Sequence, residues 1–327
     1  AMNAAAKLGE VPLMSAVVPC RGHAAAVRAC LKSLCDQRFP GPYEIIVVDS
    51  AGDPAVAAAV AAFPRARLIR SEHPLPAGPA RNLGAAAATA AHLAFIDADC
   101  VAEPDWLARA HAALAAGAEA VGGPVGDIYP QESIAVADNF LQFYEMTPGR
   151  PAGGAAYLPS CNLAMRRDVL EALGGFSAIS PGQDVLLTQR VAARGPDRLR
   201  FDPSVRVRHE GRRTLAALWR HHRAFGRARG EHGLMSRPID ARLARHWPYV
   251  APLILKRLAY MTARVAVWSP RRLPRFLLLQ PLIVAGVVSW AIGVVDGTRR
   301  RDSGPDPESP FPTRRVGGGD LQTESNR

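Results

Sequence analysis

Asp97 and Asp99, one residue apart behind a short apolar run, are the side chains in this sequence best placed to do chemistry. They close the stretch GPARNLGAAAATAAHLAFIDADC over residues 78–100. Residues 93–96 have the composition of a buried strand, and the carboxylates follow where that strand runs out. In an α/β sheet, ligands bind outside the carboxyl ends of the strands. Two hard oxygen donors at that edge suit Mg²⁺ or Mn²⁺ carrying a diphosphate. An Asp-x-Asp triplet alone reads equally as two solvated acids in a loop. Its setting weighs against that: Arg81, Asn82 and Gly84, read as a turn, precede it, and Asp49 ends another apolar run at the same expected edge. Three carboxylates gathered there need a cation or a sugar hydroxyl beside them.

The elements that must position these acids alternate from the start. Apolar runs at 13–18, 44–48, 67–69 and 93–96 predict strands, separated by helical stretches at 24–34, 54–63 and 80–91. This βαβαβαβ rhythm predicts a mostly parallel sheet with right-handed crossovers. Pro104 opens a helix that runs to 115, and a strand at 118–121 is broken by Gly122-Gly123-Pro124. Residues 146–156, rich in Gly and Pro, read as a mobile loop. A strand at 163–165, helices from 168 and over 184–193, and a strand at 205–207 complete the pattern.

Five segments taken in order carry a resemblance: VVPCRGHAAAVRACLKSL, IIVVDSAGD, PAGPARNLGAAAATAAHLAFIDADC, LPSCNLAMRRDVLEALGGF and GQDVLLTQRVAARG. Over residues 13–230 the chain resembles a family 2 glycosyltransferase of the GT-A fold. The resemblance implies an α/β, Rossmann-like, mostly parallel mixed sheet flanked by helices. It implies an inverting, metal-dependent hexosyltransferase (EC 2.4) that uses a UDP- or GDP-sugar and a hydroxyl acceptor. By the same resemblance Pro19 lies in the nucleotide pocket, Asp49 and Asp53 sit around base and ribose, and Arg81 and Asp97 reach the nucleotide sugar. Asp99 would hold Mn²⁺ or Mg²⁺, with His209 completing the metal shell. Asn162 falls in the segment that contacts the sugar on the acceptor side. Asp184 is the implied base for the acceptor hydroxyl. The family usually has two acids there, whereas this chain has Gln183-Asp184 and keeps the second. Plainer readings exist for three of these residues: a helix N-cap for Asp184, a surface histidine for His209, and a turn residue for Asn162. Processive synthases of this superfamily carry Gln-x-x-Arg-Trp near 214–229. This sequence lacks it, which implies the addition of one sugar.

The formal charge of +11 is unevenly divided. Residues 1–203 hold 17 Lys/Arg against 20 Asp/Glu, residues 204–230 hold 8 Arg and one Glu, and 238–301 hold 11 Lys/Arg and two Asp. Because the positive charge brackets an apolar segment, it points to a membrane surface and away from nucleic acid. The stretch 214–229, with His221 and His222 among arginines, reads as a basic amphipathic helix touching headgroups or an acceptor phosphate. Residues 247–268 suit an amphipathic helix at an interface. Residues 276–295 form 20 positions without a charge, and 20 helical residues rise about 30 Å, one hydrocarbon thickness. Spanning, re-entrant or monotopic insertion and soluble burial all stay open, since Pro281 and equal positive flanks give no orientation. These readings divide the chain into a catalytic domain at 1–235, a membrane-associated helical region at 236–301 with candidate membrane segment 276–295, and a disordered tail at 302–327. They imply a lipid or polyprenyl-linked acceptor and a cell-membrane location, catalytic domain on the cytoplasmic side. Five cysteines with no Cys-x-x-Cys pair argue against zinc and a disulfide framework. Two rivals remain. A sugar-phosphate nucleotidyltransferase should carry a Gly-rich phosphate loop, thin here at Arg21-Gly22-His23. A non-catalytic membrane protein of this fold would not need intact Asp97, Asp99 and Asp184.

Overall fold

The computed structural model describes residues 11–233, 248 and 250–302, so the tail expected at 302–327 lies outside the described residues except for Asp302, which ends a helix. Four strands, β1 (Met14–Cys20), β2 (Tyr43–Asp49), β3 (Ala66–Arg70) and β4 (His92–Phe95), are joined by α1 (Ala24–Cys35), α2 (Pro54–Ala61) and α3 (Ala77–Ala87). β1 and β2 are Val/Ile-rich and buried on both faces, as parallel strands sandwiched between helices must be. Their register sets Cys20 beside Asp49 at the carboxyl edge. The chain then adds β5 (Cys100–Ala102), α4 (Trp106–Ala115), β6 (Ala120–Gly122), β7 (Val125–Asp127), α5 (Ser133–Phe143), β8 (Gly153–Gly154), β9 (Leu163–Arg166), α6 (Arg167–Ala172), α7 (Gln183–Ala192), β10 (Leu199–Phe201) and β11 (Val207–His209). The main sheet has the order β3-β2-β1-β4-β9-β6-β10-β8, and a second sheet has the order β5-β11-β7.

Two pairings matter for function. β9 runs antiparallel to β4 with Leu163 opposite Phe95, so the residues entering β9 arrive where β4 ends. In the second sheet His209 lies opposite both Cys100 and Asp127.

Several local expectations are corrected. Arg81 and Asn82 sit inside α3, which begins at Ala77 and not at 80, and they do not form a turn. The helix continues because it packs hard on the sheet: a Cβ at Gly84 would come within 2.4 Å of Val17. The strand expected at 205–207 starts at Val207 and carries His209 within it. Residues 146–156, expected as a mobile loop, contain β8 paired with β10. Nearby, Gly149 lies against the Trp268 carbonyl, where a Cβ would be 1.8 Å away. α5 has no counterpart among the expected elements.

The C-terminal part consists of α8 (Leu215–Glu231), α9 (Val250–Trp268), α10 (Leu273–Leu278) and α11 (Gln280–Asp302). The apolar stretch at 276–295 is not one helix, because it is divided at Leu279 between α10 and α11. α5 and α8 share a core with α9, α10 and α11 through Val136, Phe140, Leu218, Met261, Phe276 and Ile283. The boundary drawn at 235 therefore falls between segments that pack together. α8 and α11 cross at backbone contact. A Cβ at Gly226 or Gly230 would lie 1.9 or 2.3 Å from the carbonyls of Trp290 and Val294, and one at Gly293 or Gly297 would lie 2.1 or 2.0 Å from those of Arg223 and Arg227. Small residues four apart on both helices allow this approach.

Candidate active site

Asp97 and Asp99 follow β4 directly, and the pairing of β5 with β11 brings His209 to them. The Glu210 amide donates to the Asp99 carbonyl at 2.9 Å, which pins the two segments together. His209 Nε2 then lies 3.5 Å from Asp99 Oδ2. The imidazole is buried, and its Nδ1 meets Asn139 Oδ1 at 2.7 Å. The Asn139 amide nitrogen donates to Asp127 Oδ1 at 2.8 Å, so its oxygen must face the ring and Nδ1 must carry the proton. Nε2 is thereby aimed at Asp99. Arg212 adds a guanidinium 3.4 Å from Nε2, while its own amide donates to Asp138 Oδ2 at 3.0 Å. Burial alone would push Asp99 up, yet His209 and then Arg212 hold it well below the usual carboxylate range. Burial would likewise lower His209, but Asp99 outweighs it and raises the imidazole above its ordinary value.

Asp97 has the opposite balance. Burial raises it, and the charge of Asp99 adds to that, while Arg81 opposes both. Arg81 is buried and bonds Asp97 Oδ1, but its Nε and Nη1 have no partner. Arg81 itself lines the cleft, and these two donors lie buried behind its lining.

Asp184 is the second residue of α7, whose N-cap is Gly182, so it does not cap the helix itself. Its Oδ2 instead accepts from the Ser160 amide at 3.1 Å and the Ser160 hydroxyl at 3.4 Å. Ser160 stands at the entry to β9, and the antiparallel pairing of β9 with β4 is what carries Asp184 to the acids after β4. Asp97, Asp99, Asp184, His209, Arg81 and Arg212 all line one cleft of about 750 Å³.

The other expected residues lie elsewhere. Pro19 is the penultimate residue of β1, and Asp49 ends β2, two strands away from β4 on the same edge. Asp49 is fully buried. Its Oδ1 accepts from the amides of Ala51 and Gly52 at 3.0 and 3.1 Å, and its Oδ2 has no partner. Asp53 caps α2, accepting from the Ala55 amide at 2.8 Å. None of these three lines the cleft around Asp99. Asn162 corrects the expectation of a sugar contact. It is 0% exposed, accepts from the Trp106 indole at 2.8 Å, and donates to the carbonyls of Pro124 and Val205 at 3.1 and 2.9 Å. Each of its side-chain polar atoms is already bonded, and its task is to tie the start of β9 to α4 and to the segments after β6 and before β11 beneath the site.

Sequence reasoning missed Asp127, Asp138, Asn139 and Arg212. Apolar residues at 134, 137, 140 and 141 have helical spacing and could have revealed α5. Nothing local says that α5 buttresses His209. His222 and His221, in the stretch read as touching headgroups or an acceptor phosphate, face inward. The His222 ring meets Asp138 at 2.9 Å and the His221 ring meets Gln142 at 3.1 Å. Burial, then the charge of Arg212, pushes His221 down to about 3.

Residues 15–174 match the family described as Glycosyl transferase family 2. Among curated proteins, the chain is 28% identical over 192 residues to Glycosyltransferase AglE of Haloferax volcanii, covering 57% of this chain and 63% of the relative. It is 27% identical over 257 residues to the Pre-mycofactocin glycosyltransferase of Mycobacterium tuberculosis, covering 76% of this chain and 51% of that one. The chain thus spans less than two thirds of the length of each. A solved mannosyltransferase, PcManGT from Pyrobaculum calidifontis in complex with GDP-Man and Mn²⁺, superposes with a TM-score of 0.56 at 20% identity, over 87% of this chain and 89% of that one. That likeness shows the GT-A architecture.

Proposed function

We propose that this chain, whose residues 15–174 match the family 2 glycosyltransferase model and whose fold is that of GT-A enzymes, is an inverting, metal-dependent glycosyltransferase adding one sugar from a nucleotide-sugar donor to a hydroxyl. The observation that carries this reading is the meeting of Asp99, His209 and Asp184 in a single cleft although they are drawn from three distant segments.

The donor set fits a divalent cation. Asp99 and the Asn139-oriented Nε2 of His209 supply one carboxylate oxygen and one imidazole nitrogen. Among the described residues no three metal-binding side chains converge. That suits Mg²⁺ or Mn²⁺ held partly by substrate phosphates. When bound, the cation offsets charge on the departing nucleoside diphosphate. The named neighbour that holds GDP-Man and Mn²⁺ supports the same reading. The protein's own groups do the rest. Arg81 and Arg212, both lining the cleft, offer donors to the diphosphate oxygens. Asp49 Oδ2, the unpaired acceptor at the end of β2, suits an N–H of the base, with Pro19 one register position back on β1 and Asp53 at the start of α2, four residues on. Asp184 takes the acceptor proton as that oxygen attacks the anomeric carbon from the face opposite the leaving group. A single displacement inverts the centre.

The acceptor is proposed to be lipid-linked and the enzyme to work on the cytoplasmic face of the cell membrane. Leu277 and Leu278 on α10 are 52% and 78% exposed, Val267 on α9 is 71% exposed, and Arg271 and Arg275 lie exposed nearby. Apolar side chains beside arginines fit a headgroup boundary. A monotopic contact is favoured over a spanning helix. α11 is 61% buried over its most apolar window, and a bilayer around it would draw in the arginines of α8 packed along it.

The test is a donor screen on the purified protein. UDP-, GDP- and TDP-sugars should each be added with Mn²⁺ and with EDTA, and melting temperature recorded. One nucleotide class should raise Tm in Mn²⁺, and EDTA should abolish the shift. No Mn²⁺-dependent stabilisation by any donor would contradict the proposal.

A further inference from the structure

We propose that the far half of the same cleft binds an anionic group carried by an apolar or aromatic acceptor, with the half-buried Arg257 as the anchor. This assignment to the acceptor rests on the transferase reading above. Away from Asp99 and Asp184 the cleft changes character. Its walls there are Tyr144, Tyr157, Phe225, Leu253 and Trp290, and its cations are Arg229, Lys256 and Arg257. The acid lining that half, Glu145, is already committed. Tyr157 and Tyr260 donate their hydroxyls to it at 2.9 and 2.7 Å, and Arg264 lies 3.8 Å away.

Arg257 is held in place but not satisfied. Its guanidinium lies 4.2 Å over the Trp290 ring, and Nη2 donates to the Leu141 carbonyl at 3.1 Å. Nε is buried with no partner, and so is the indole nitrogen of Trp290 directly beneath. Burial pushes Arg257 below the usual arginine range, as expected of a cation short of a counter-charge. A buried donor left unpaired is costly, and a buried charge left unpaired more so. The planar guanidinium, fixed by stacking, presents its donors in the geometry that carboxylate and phosphate oxygens match. Aromatic walls around it exclude water and accept an apolar body. The far half is thus built to hold an acceptor by its anion while the hydroxyl is delivered towards Asp184. The anion could belong to a lipid phosphate or to a small soluble acceptor, and the recognition chemistry is the same.

The experiment uses the full chain and isothermal titration in EDTA, which removes any metal that would itself take phosphate. The probes are phenyl phosphate, farnesyl phosphate and neutral farnesol. The wild type should bind both phosphates and bind farnesol far more weakly. Arg257→Gln should raise the phosphate Kd at least about tenfold and Lys256→Gln about threefold, in keeping with charge-assisted bonds. Arg257→Lys should recover part of the loss. Should Arg257→Gln not fold, Lys256→Gln, at an exposed position, decides the matter alone. Tighter binding of farnesyl than of phenyl phosphate assigns the anion to a lipid, and equal binding to a soluble acceptor. Both results uphold the site. Failure of the wild type to bind either phosphate, or equal Kd values in wild type and variants, overturns it. Mn²⁺-dependent nucleotide binding, measured in the same proteins, reports on the donor half alone. Its absence would sink the transferase reading while leaving the outcome of the phosphate titration unchanged.

Discussion

At His209 a single amide sets the chemistry. Asn139 accepts the Nδ1 proton and so turns Nε2 towards Asp99, while its own nitrogen is anchored on Asp127. Partners of this kind govern metal affinity without touching the metal. Asn139→Ala should leave the fold intact and raise the Mn²⁺ concentration needed for nucleotide binding about 10–100-fold. A titration of Mn²⁺ at saturating nucleotide measures it, and an unchanged midpoint would remove Asn139 from the account. Asp97 and Asp99 were legible because the end of a strand announces itself in sequence, whereas Asp184, at the start of a helix, and His209 were legible only through the family resemblance. Asn139 and Asp138 were not, since they reach His209 and His222 across 70 and 84 positions. Asn162 was legible as a segment and misleading as a side chain. Its direction is decided by the Trp106 indole and two carbonyls, which no local pattern encodes.

Between elements, the decisive contact is the crossing of α8 and α11. The glycines at 226, 230, 293 and 297 let two backbones touch, and the far wall of the cleft, from His222 to Trp290, hangs on that approach. Gly226→Ala would drive a methyl group to 1.9 Å from the Trp290 carbonyl. Forced overpacking of this kind costs about 1–3 kcal/mol. Thermal unfolding should show a Tm several degrees below wild type, and an equal Tm would mean the helices can part without loss. The parallel half of the sheet was readable because alternating apolar runs and helices leave few topologies. β9 and β11 were seen only as fragments, and β10 was not seen at all. They are short, and they insert antiparallel or in a separate sheet, so their place depends on partners far along the chain. The glycine spacing on α8 and α11 was visible in sequence but has no meaning until the two helices are known to be neighbours.

The whole molecule is polarised. An acidic N-terminal part meets a basic helical part, and the cleft runs from one into the other. The exposed leucines of α10 and their flanking arginines place the proposed membrane contact on the basic side. Wild type should co-sediment with phosphatidylglycerol vesicles and detach as salt rises, because screening weakens surface charge. The double variant Leu277→Asp/Leu278→Asp should bind about tenfold more weakly at low salt, since burial of apolar side chains is half of such binding. Undiminished binding by the double variant would separate the enzyme from this surface.

The central claim is that one cleft holds the donor at Asp99 and His209 while Asp184 takes the acceptor proton, and Asp184→Asn tests it most directly. With the donor found by the screen and an acceptor preparation from membranes, the purified variant should bind nucleotide and Mn²⁺ as wild type does. It should transfer sugar about 10²–10⁴-fold more slowly. Transfer near the wild-type rate with nucleotide binding intact would contradict the account.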